Sequence, residues 1–273
     1  MTRAPASAKL NLALVVGRAG GGGGKHEVTT VLQRLDLADR VAVTAASRLH
    51  VTGFVDDTLV RGALERLAEA AGAAPRWEAR LTKRIPVAAG LGGGSSDAAT
   101  ALRLANETLA EPVVPERLRE LAAELGADVP FFLVQGPQLG EGDGSELTPL
   151  ELPQDYWVVL LLPRGARKQS TAAIYRAFDE RDGGKGYRNR RAALKRALKE
   201  AARPGDLSAL PPNDLASSPF VEQFGALGAF RADVTGAGPV VYGLFQHLET
   251  ARDARRRLKA LGRTWLTVPA WYG

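Results

Sequence analysis

The chain has 273 residues, 45% hydrophobic and 24% charged, with a formal net charge of +6. That length can build one large core or two medium ones, and no apolar run approaches the roughly 20 residues needed to cross a bilayer. With no cysteine, disulfides, Cys-ligated zinc and iron–sulfur clusters are excluded, and a reducing, cytoplasmic setting fits.

The N-terminal run MTRAPASAKLNLALVVGR has the loose look of a secretory signal, but Lys9 and Asn11 interrupt it. It reads as a β-strand, with Ala8, Leu10, Leu12, Leu14 and Val16 on one face and Lys9 and Asn11 side by side on the other. The glycines at 20–24 suit no regular element and predict a flexible loop ending in Lys25 and His26. Strands are predicted over 28–37, 40–45 and 49–52, a helix over 58–71, and a strand over 77–85 that stops before Pro86. Next comes the loop Pro86 to Ser96, PVAAGLGGGSS, and then a helix whose apolar stripe is Ala98, Ala101, Leu102, Ala105 and Leu109. Ser95 or Ser96 suits its N-cap and Asp97 its first turn. A second helix is predicted over 115–125, opened by Pro115 and closed by Gly126. Pro130 biases Val129 to an extended backbone. Asp128 is therefore expected on a tight connection between that helix and an apolar strand at 131–134.

Composition shifts at 136–155 towards Gly, Pro and acidic residues, which places a boundary there and suggests domains 1–150 and 151–273. Beyond it the patterns predict a strand at 156–162, helices at 170–180, 187–203 and 217–227, strands at 230–235 and 239–245, a helix at 247–261 and a strand at 264–268. Mixed elements joined by short turns favour an α+β fold over a doubly wound parallel sheet. Basic residues gather in Tyr187 to Arg203 without interleaved aromatics, as on the charged face of a solvated helix. Neither nucleic acid nor membrane is expected as a partner, and the sequence leaves the oligomeric state open.

Glycine-rich loops invite false matches. A Walker loop, G-x-x-x-x-G-K-[ST], fails at Gly24-Lys25, because Ala19 stands five positions earlier and His26 follows. The dinucleotide pattern G-x-G-x-x-G fails at Gly90/Gly92, where Ser95 takes the third place, and at Gly236/Gly238, where Val241 does. What remains is a strand, a run of glycines at 90 and 92–94, and a helix start. Backbone N–H groups can turn inward there, and the helix N-terminus adds free donors and a positive dipole end. On the residues alone, the loop is either an anion site or a mobile segment before an ordinary capped helix. Likewise Asp128 is either a base or a carboxylate closing a turn, and Lys9 either a working group or a lysine on a solvent face.

Three ordered segments narrow these alternatives: APASAKLNLALVV, then GLGGGSSDAA with LGADVPFFL, then DVTGAGPVVYGLF. Together, over nearly the whole chain, they resemble the motifs of the GHMP kinase superfamily. The resemblance implies a two-domain α+β fold. Its N-terminal domain is like ribosomal protein S5 domain 2, its C-terminal domain is ferredoxin-like, and the active site lies between them. It implies ATP with Mg2+, the phosphates lying on Pro86, Val87, Ala88, Ala89, Gly90, Leu91, Gly92, Gly93, Gly94, Ser95 and Ser96. The GADVP turn together with His26 points to the branch acting on a small molecule, cytidine diphosphate methylerythritol, rather than on homoserine, mevalonate or a sugar. By the same resemblance Asp128 is the base and Lys9 its catalytic partner; Asn11, sharing the face of Lys9, is placed to bind substrate or orient that lysine. His26 contacts the cytosine, and Tyr175, with Thr171 on its helix face, supplies a stacking ring. Gly236 and Gly238 let backbone approach the substrate diphosphate or close the phosphate loop, and Asn213-Asp214 is structural or supports the site from behind. No protein ligand for the metal is implied. Two positions depart from the family pattern: Lys25 stands where a tyrosine is usual, and Thr58-Leu59-Val60 replaces a segment that opens with asparagine.

Overall fold

The computed structural model describes residues 2–20, 24–54, 58–166 and 170–270. Glycines 21–23 of the expected loop lie outside the described residues. Strands β1 (Thr2–Ala19) and β2 (His26–Ala45) form a long antiparallel ribbon at the centre of the first sheet. The free edge of β2 pairs with β4 (Trp77–Thr82) at one end and β5 (Gln138–Glu141) at the other; β3 (His50–Thr52) and β6 (Glu146–Pro149) complete the sheet. Helices α1 (Thr58–Ala70), α2 (Gly93–Asn106) and α3 (Pro115–Leu125) cover it. The second sheet is antiparallel, in the order β10 (Gly262–Thr267), β7 (Trp157–Pro163), β9 (Val241–Phe245), β8 (Arg231–Val234). It packs on α6 (Phe220–Ala226) and α7 (Leu248–Leu258). Helices α4 (Thr171–Glu180) and α5 (Tyr187–Glu200) lie against β1.

The apolar periodicities account for these contacts. Leu102 and Ala101 of α2 are fully buried against Val41, Val43, Ala79 and Leu81 of the sheet. Truncating Leu102 to alanine should cost about 2–5 kcal/mol, the usual range for a buried leucine. A second core joins the sheets, where Leu10, Leu12 and Val15 meet Val158, Leu160, Tyr242 and Leu244.

The structure corrects the sequence reading in several places. The expected single aliphatic face of β1 is broken. A bulge at Leu12 leaves Asn11 opposite Leu32 and Ala13 opposite Val31. One extra residue reverses the alternation. Ala8, Leu10, Leu12, Ala13 and Val15 thus enter the core between the sheets, while Leu14 and Val16 pass to the side of Lys9 and Asn11. The strands expected at 28–37 and 40–45 are one strand, because pairing with β1 runs on through Ala38 and Asp39. Residues 130–133 form a 3-10 turn, not a strand, and Val129 is helical despite Pro130. The Arg34 guanidinium donates to the carbonyls of Phe131 and Val134, and this tertiary anchor overrides the local bias. The compositionally distinct segment 136–155 contains the hairpin β5–β6, which extends the first sheet. The basic helix ends at Glu200, before a turn at Pro204–Ala209; Arg190 pairs with Asp214, and Arg191 and Lys195 pair with Glu141. No described helix is long and apolar enough to cross a membrane.

Candidate active site

A cleft of about 560 Å³ opens where β1, the glycine loop and the Asp128 turn meet α4 and the Gly236–Gly238 turn. Of the sequence candidates, Lys9, Asn11, Asp128, Thr171, Tyr175, Gly236, Gly238 and every loop residue from Pro86 to Ser95 line it. Ser96 and His26 do not.

The loop turns on left-handed backbone at Ala88 (φ 57°), Gly90 (φ 84°) and Gly92 (φ 70°). Gly92 is itself the N-cap of α2, with no capping side chain, so neither Ser95 nor Ser96 plays that part, and Asp97 lies beyond the first turn. Ser96 is buried and its N–H bonds Gly92 O at 2.9 Å. An uncapped helix start leaves first-turn N–H groups for an anion. Two glycines are required by close approach. A Cβ on Gly92 would sit 2.9 Å from Cγ of Lys9, and one on Gly90 would sit 2.4 Å from Thr235 O. The loop is also tied down: Lys9 N–H donates to Leu91 O at 2.9 Å, and Val240 N–H to Ala89 O at 3.3 Å.

At one end of the loop stands Lys9, 4% exposed. Its Nζ donates to Asn11 Oδ1 at 2.7 Å and lies 3.3 Å from Asp128 Oδ2, a carboxylate 44% exposed. Asn11 Nδ2 donates to Thr30 Oγ1 at 2.8 Å, and Thr30 Oγ1 donates to Ala13 O at 2.8 Å, so β2 orients the amide and the amide orients the lysine. The lysine is not on a solvent face; the loop covers it.

At the other end stands Lys83, which also lines the cleft. Its Nζ donates at 2.5 Å to Asp39 Oδ2 and at 2.5 Å to Asp97 Oδ2, and both carboxylates are 0% exposed. Burial pulls the Lys83 pKa down, but the Asp97 and Asp39 carboxylates outweigh it and hold the ammonium above the ordinary lysine value. Asp39 Oδ1 accepts from the backbone N–H groups of Arg84 and Ile85 as well.

At the aromatic end, the His26 ring packs 4.5 Å from Tyr175, and its Nε2 is 2.8 Å from Asp179 Oδ1. Burial, aided by the Asp128 carboxylate, pushes the Tyr175 phenol up, so it stays neutral. Lys25 pairs with Asp143 of the β5–β6 hairpin at 2.7 Å, and that hydrogen bond holds the Asp143 carboxyl below its usual range. On the far wall Asn213 Nδ2 donates to Val234 O and to Gly236 O, at 2.9 and 2.7 Å, which fixes the turn carrying Gly236 and Gly238.

Residues 58–136 match the GHMP kinases N terminal domain, and residues 187–264 match the GHMP kinases C terminal domain. A 4-diphosphocytidyl-2-C-methyl-D-erythritol kinase from Pelotomaculum thermopropionicum is 38% identical, covering 93% of this chain and 92% of that protein. The chain belongs to the GHMP kinases. A kinase of the same description from Streptomyces coelicolor is 37% identical over 93% of this chain and 91% of its own. The crystal structure of a 4-(cytidine 5'-diphospho)-2C-methyl-D-erythritol kinase superposes with a TM-score of 0.79 at 32% identity, covering 98% of this chain and 99% of that one. A mevalonate kinase superposes with a TM-score of 0.75 at 12% identity, a likeness of fold.

For this GHMP kinase, the sequence reading missed Lys83, Asp39 and Thr30. Asp39 carries little signal of its own, because it stands in a polar stretch with Gln33, Arg34, Asp36 and Arg40. Such a stretch reads as a break between the strands expected at 28–37 and 40–45. Lys83 stands three residues before Pro86, within the strand expected over 77–85 but just past the observed end of β4 at Thr82. Of Thr58 only the backbone is described; its neighbour Leu59 lines the cleft.

Proposed function

We propose that this kinase transfers the γ-phosphoryl group of ATP to the 2-hydroxyl of 4-diphosphocytidyl-2-C-methyl-D-erythritol, a step towards isoprenoid precursors in the non-mevalonate route. The observation that carries the reading is the placement of Lys9 and Asp128 beside an uncapped helix start. The relatives at 37–38% identity supply the substrate class. Residues 1–150 and 151–273 serve as its two domains, and the cytoplasm as its setting.

On this reading, ATP phosphates lie on the loop N–H groups. Asp128 accepts the proton of the attacking hydroxyl, and its exposed carboxylate is free to meet a substrate. Lys9, held by Asn11 and 3.3 Å from Asp128, stabilises the charge that grows on the attacking oxygen and the transferring group. Mg2+ is a hard cation that asks for oxygen ligands and usually takes only one or two carboxylates beside substrate phosphates. Among the described residues no cluster of three His, Asp or Glu side chains could cage a metal. Asp128 and the Ser95 hydroxyl at the loop are the oxygen donors that fit it, and when bound it neutralises charge on the phosphates. Tyr175 and His26 serve the cytosine, with Thr171 beside them, and the fixed Gly236–Gly238 turn faces the diphosphate.

The test is a coupled kinase assay with ATP and a panel of alcohols. Turnover of the cytidylyl substrate, with none of mevalonate or homoserine, is expected. Turnover of mevalonate or homoserine without the cytidylyl compound would defeat the proposal.

A further inference from the structure

Lys9 and Lys83 both line the cleft, yet the proposed chemistry uses only Lys9. Lys83 is 16% exposed and lies between two fully buried carboxylates that come from different elements, Asp39 on β2 and Asp97 on α2. Among the described residues Asp39 accepts from three donors: Lys83 Nζ and the N–H groups of Arg84 and Ile85. Those residues lead directly into Pro86, and Asp97 lies one residue beyond Ser96. The cluster therefore joins the strand entering the glycine loop to the helix leaving it. Buried ion pairs of this kind are costly to desolvate and are weak evidence for stability by themselves. Their geometric consequence is firmer: removing Lys83 takes a shared donor from two buried carboxylates, and removing either carboxylate takes from Lys83 one of its two acceptors.

The charge count constrains what Lys83 can meet. Two carboxylates and one ammonium carry a net charge of −1 when all are ionised, so the cluster repels a polyphosphate rather than attracting one. An ammonium has three N–H donors. Two go to Asp39 and Asp97, and among the described residues one remains, on a side chain that borders the cleft with Phe54, 5.8 Å from its ring, and Leu59. The apolar walls and the one remaining donor suit an uncharged, planar, hydrogen-bonding part of a nucleotide.

We propose that Asp39 and Asp97 are positioning residues for ATP, acting through Lys83: they lock the two ends of the glycine loop together and hold one Lys83 N–H towards a neutral acceptor of the nucleotide. This rests on the glycine loop being the ATP site. The raised Lys83 pKa agrees with it, since the ammonium stays protonated throughout the range in which a kinase works.

The test is steady-state kinetics of Asp39→Asn and Lys83→Met with each substrate varied in turn, together with thermal melting and calorimetric titration of ATP into the protein alone. The proposal expects the KM and Kd for ATP to rise about tenfold, the loss of one charge-assisted hydrogen bond. It expects the KM for the cytidylyl substrate to stay within about twofold, a few tenths of a kcal/mol. Asp97→Asn and Lys83→Arg stand in if either first variant does not fold, and Lys83→Arg, which keeps charge and donors, should recover part of the ATP affinity. Unchanged ATP binding in folded variants, or a parallel rise in both KM values, would overturn it. Wild-type protein that binds ATP but leaves the cytidylyl substrate untouched would defeat the function proposed above and leave this inference standing.

Discussion

Two lysines flank one glycine loop, and their surroundings differ. Lys9 is buried, but its partners are a neutral amide and a carboxylate that reaches solvent, 3.3 Å away. Lys83 is closer to solvent, but both its partners are sealed carboxylates at 2.5 Å. A lysine loosely paired to an exposed acid can shift its charge towards a reacting group. A lysine clamped between two buried acids cannot, and it serves geometry. Burial alone therefore says little about which lysine is chemical; the partners decide.

The sharpest way to break this comparison is at the Lys9 end. Lys9→Met and Asp128→Asn should each lower kcat by at least about 100-fold, the low end for a lost general base or electrostatic contact. Near-normal turnover in either would remove that residue from the chemistry. Gly92→Ala should come next. Its Cβ would press on the Lys9 stem at a backbone angle that alanine resists, and kcat/KM should fall about 10–100-fold through misplacement of the lysine and the loop. Unchanged kinetics would mean that the loop does not position Lys9.

Smaller effects belong to the aromatic end. Tyr175→Ala should raise the KM for the cytidylyl substrate about tenfold, in the range for loss of one base-stacking ring, with the KM for ATP unmoved. Lys25→Tyr should lower that KM by a few-fold at most, since Lys25 is held by Asp143 and must give up that pair. An unchanged KM would show that cytosine is held without a second ring. The smallest effect is on alkaline stability. The folded Lys83 pKa lies above the unfolded value of roughly 10.4, so its contribution is full below that pH and is lost as pH rises through the folded value. Asp39→Asn should shift that loss to lower pH in melting curves taken between about pH 8 and 11. Identical alkaline profiles would deny the coupling.

What the sequence revealed divides along the same line. The loop, Lys9, Asn11 and Asp128 are contiguous with recognisable patterns, and the alternation of β1 by itself puts Lys9 and Asn11 on one face. The clamp at Lys83 was hidden because its members come from three separate segments, at positions 39, 83 and 97, and only the fold joins them. The bulge at Leu12 was hidden for a similar reason: an extra residue in one strand shows only against its partner's register. The 3-10 turn after Asp128 depends on Arg34, nearly a hundred residues away, and no local propensity reports that.

The two lysines have different work, and one paired measurement tests that division. Lys9→Met and Lys83→Met are assayed side by side for kcat and for the KM of ATP, with the cytidylyl substrate saturating. Lys9→Met should lose at least about 100-fold in kcat, while Lys83→Met should keep kcat within about threefold and raise the KM for ATP about tenfold. The same kinetic profile in both variants would contradict the account.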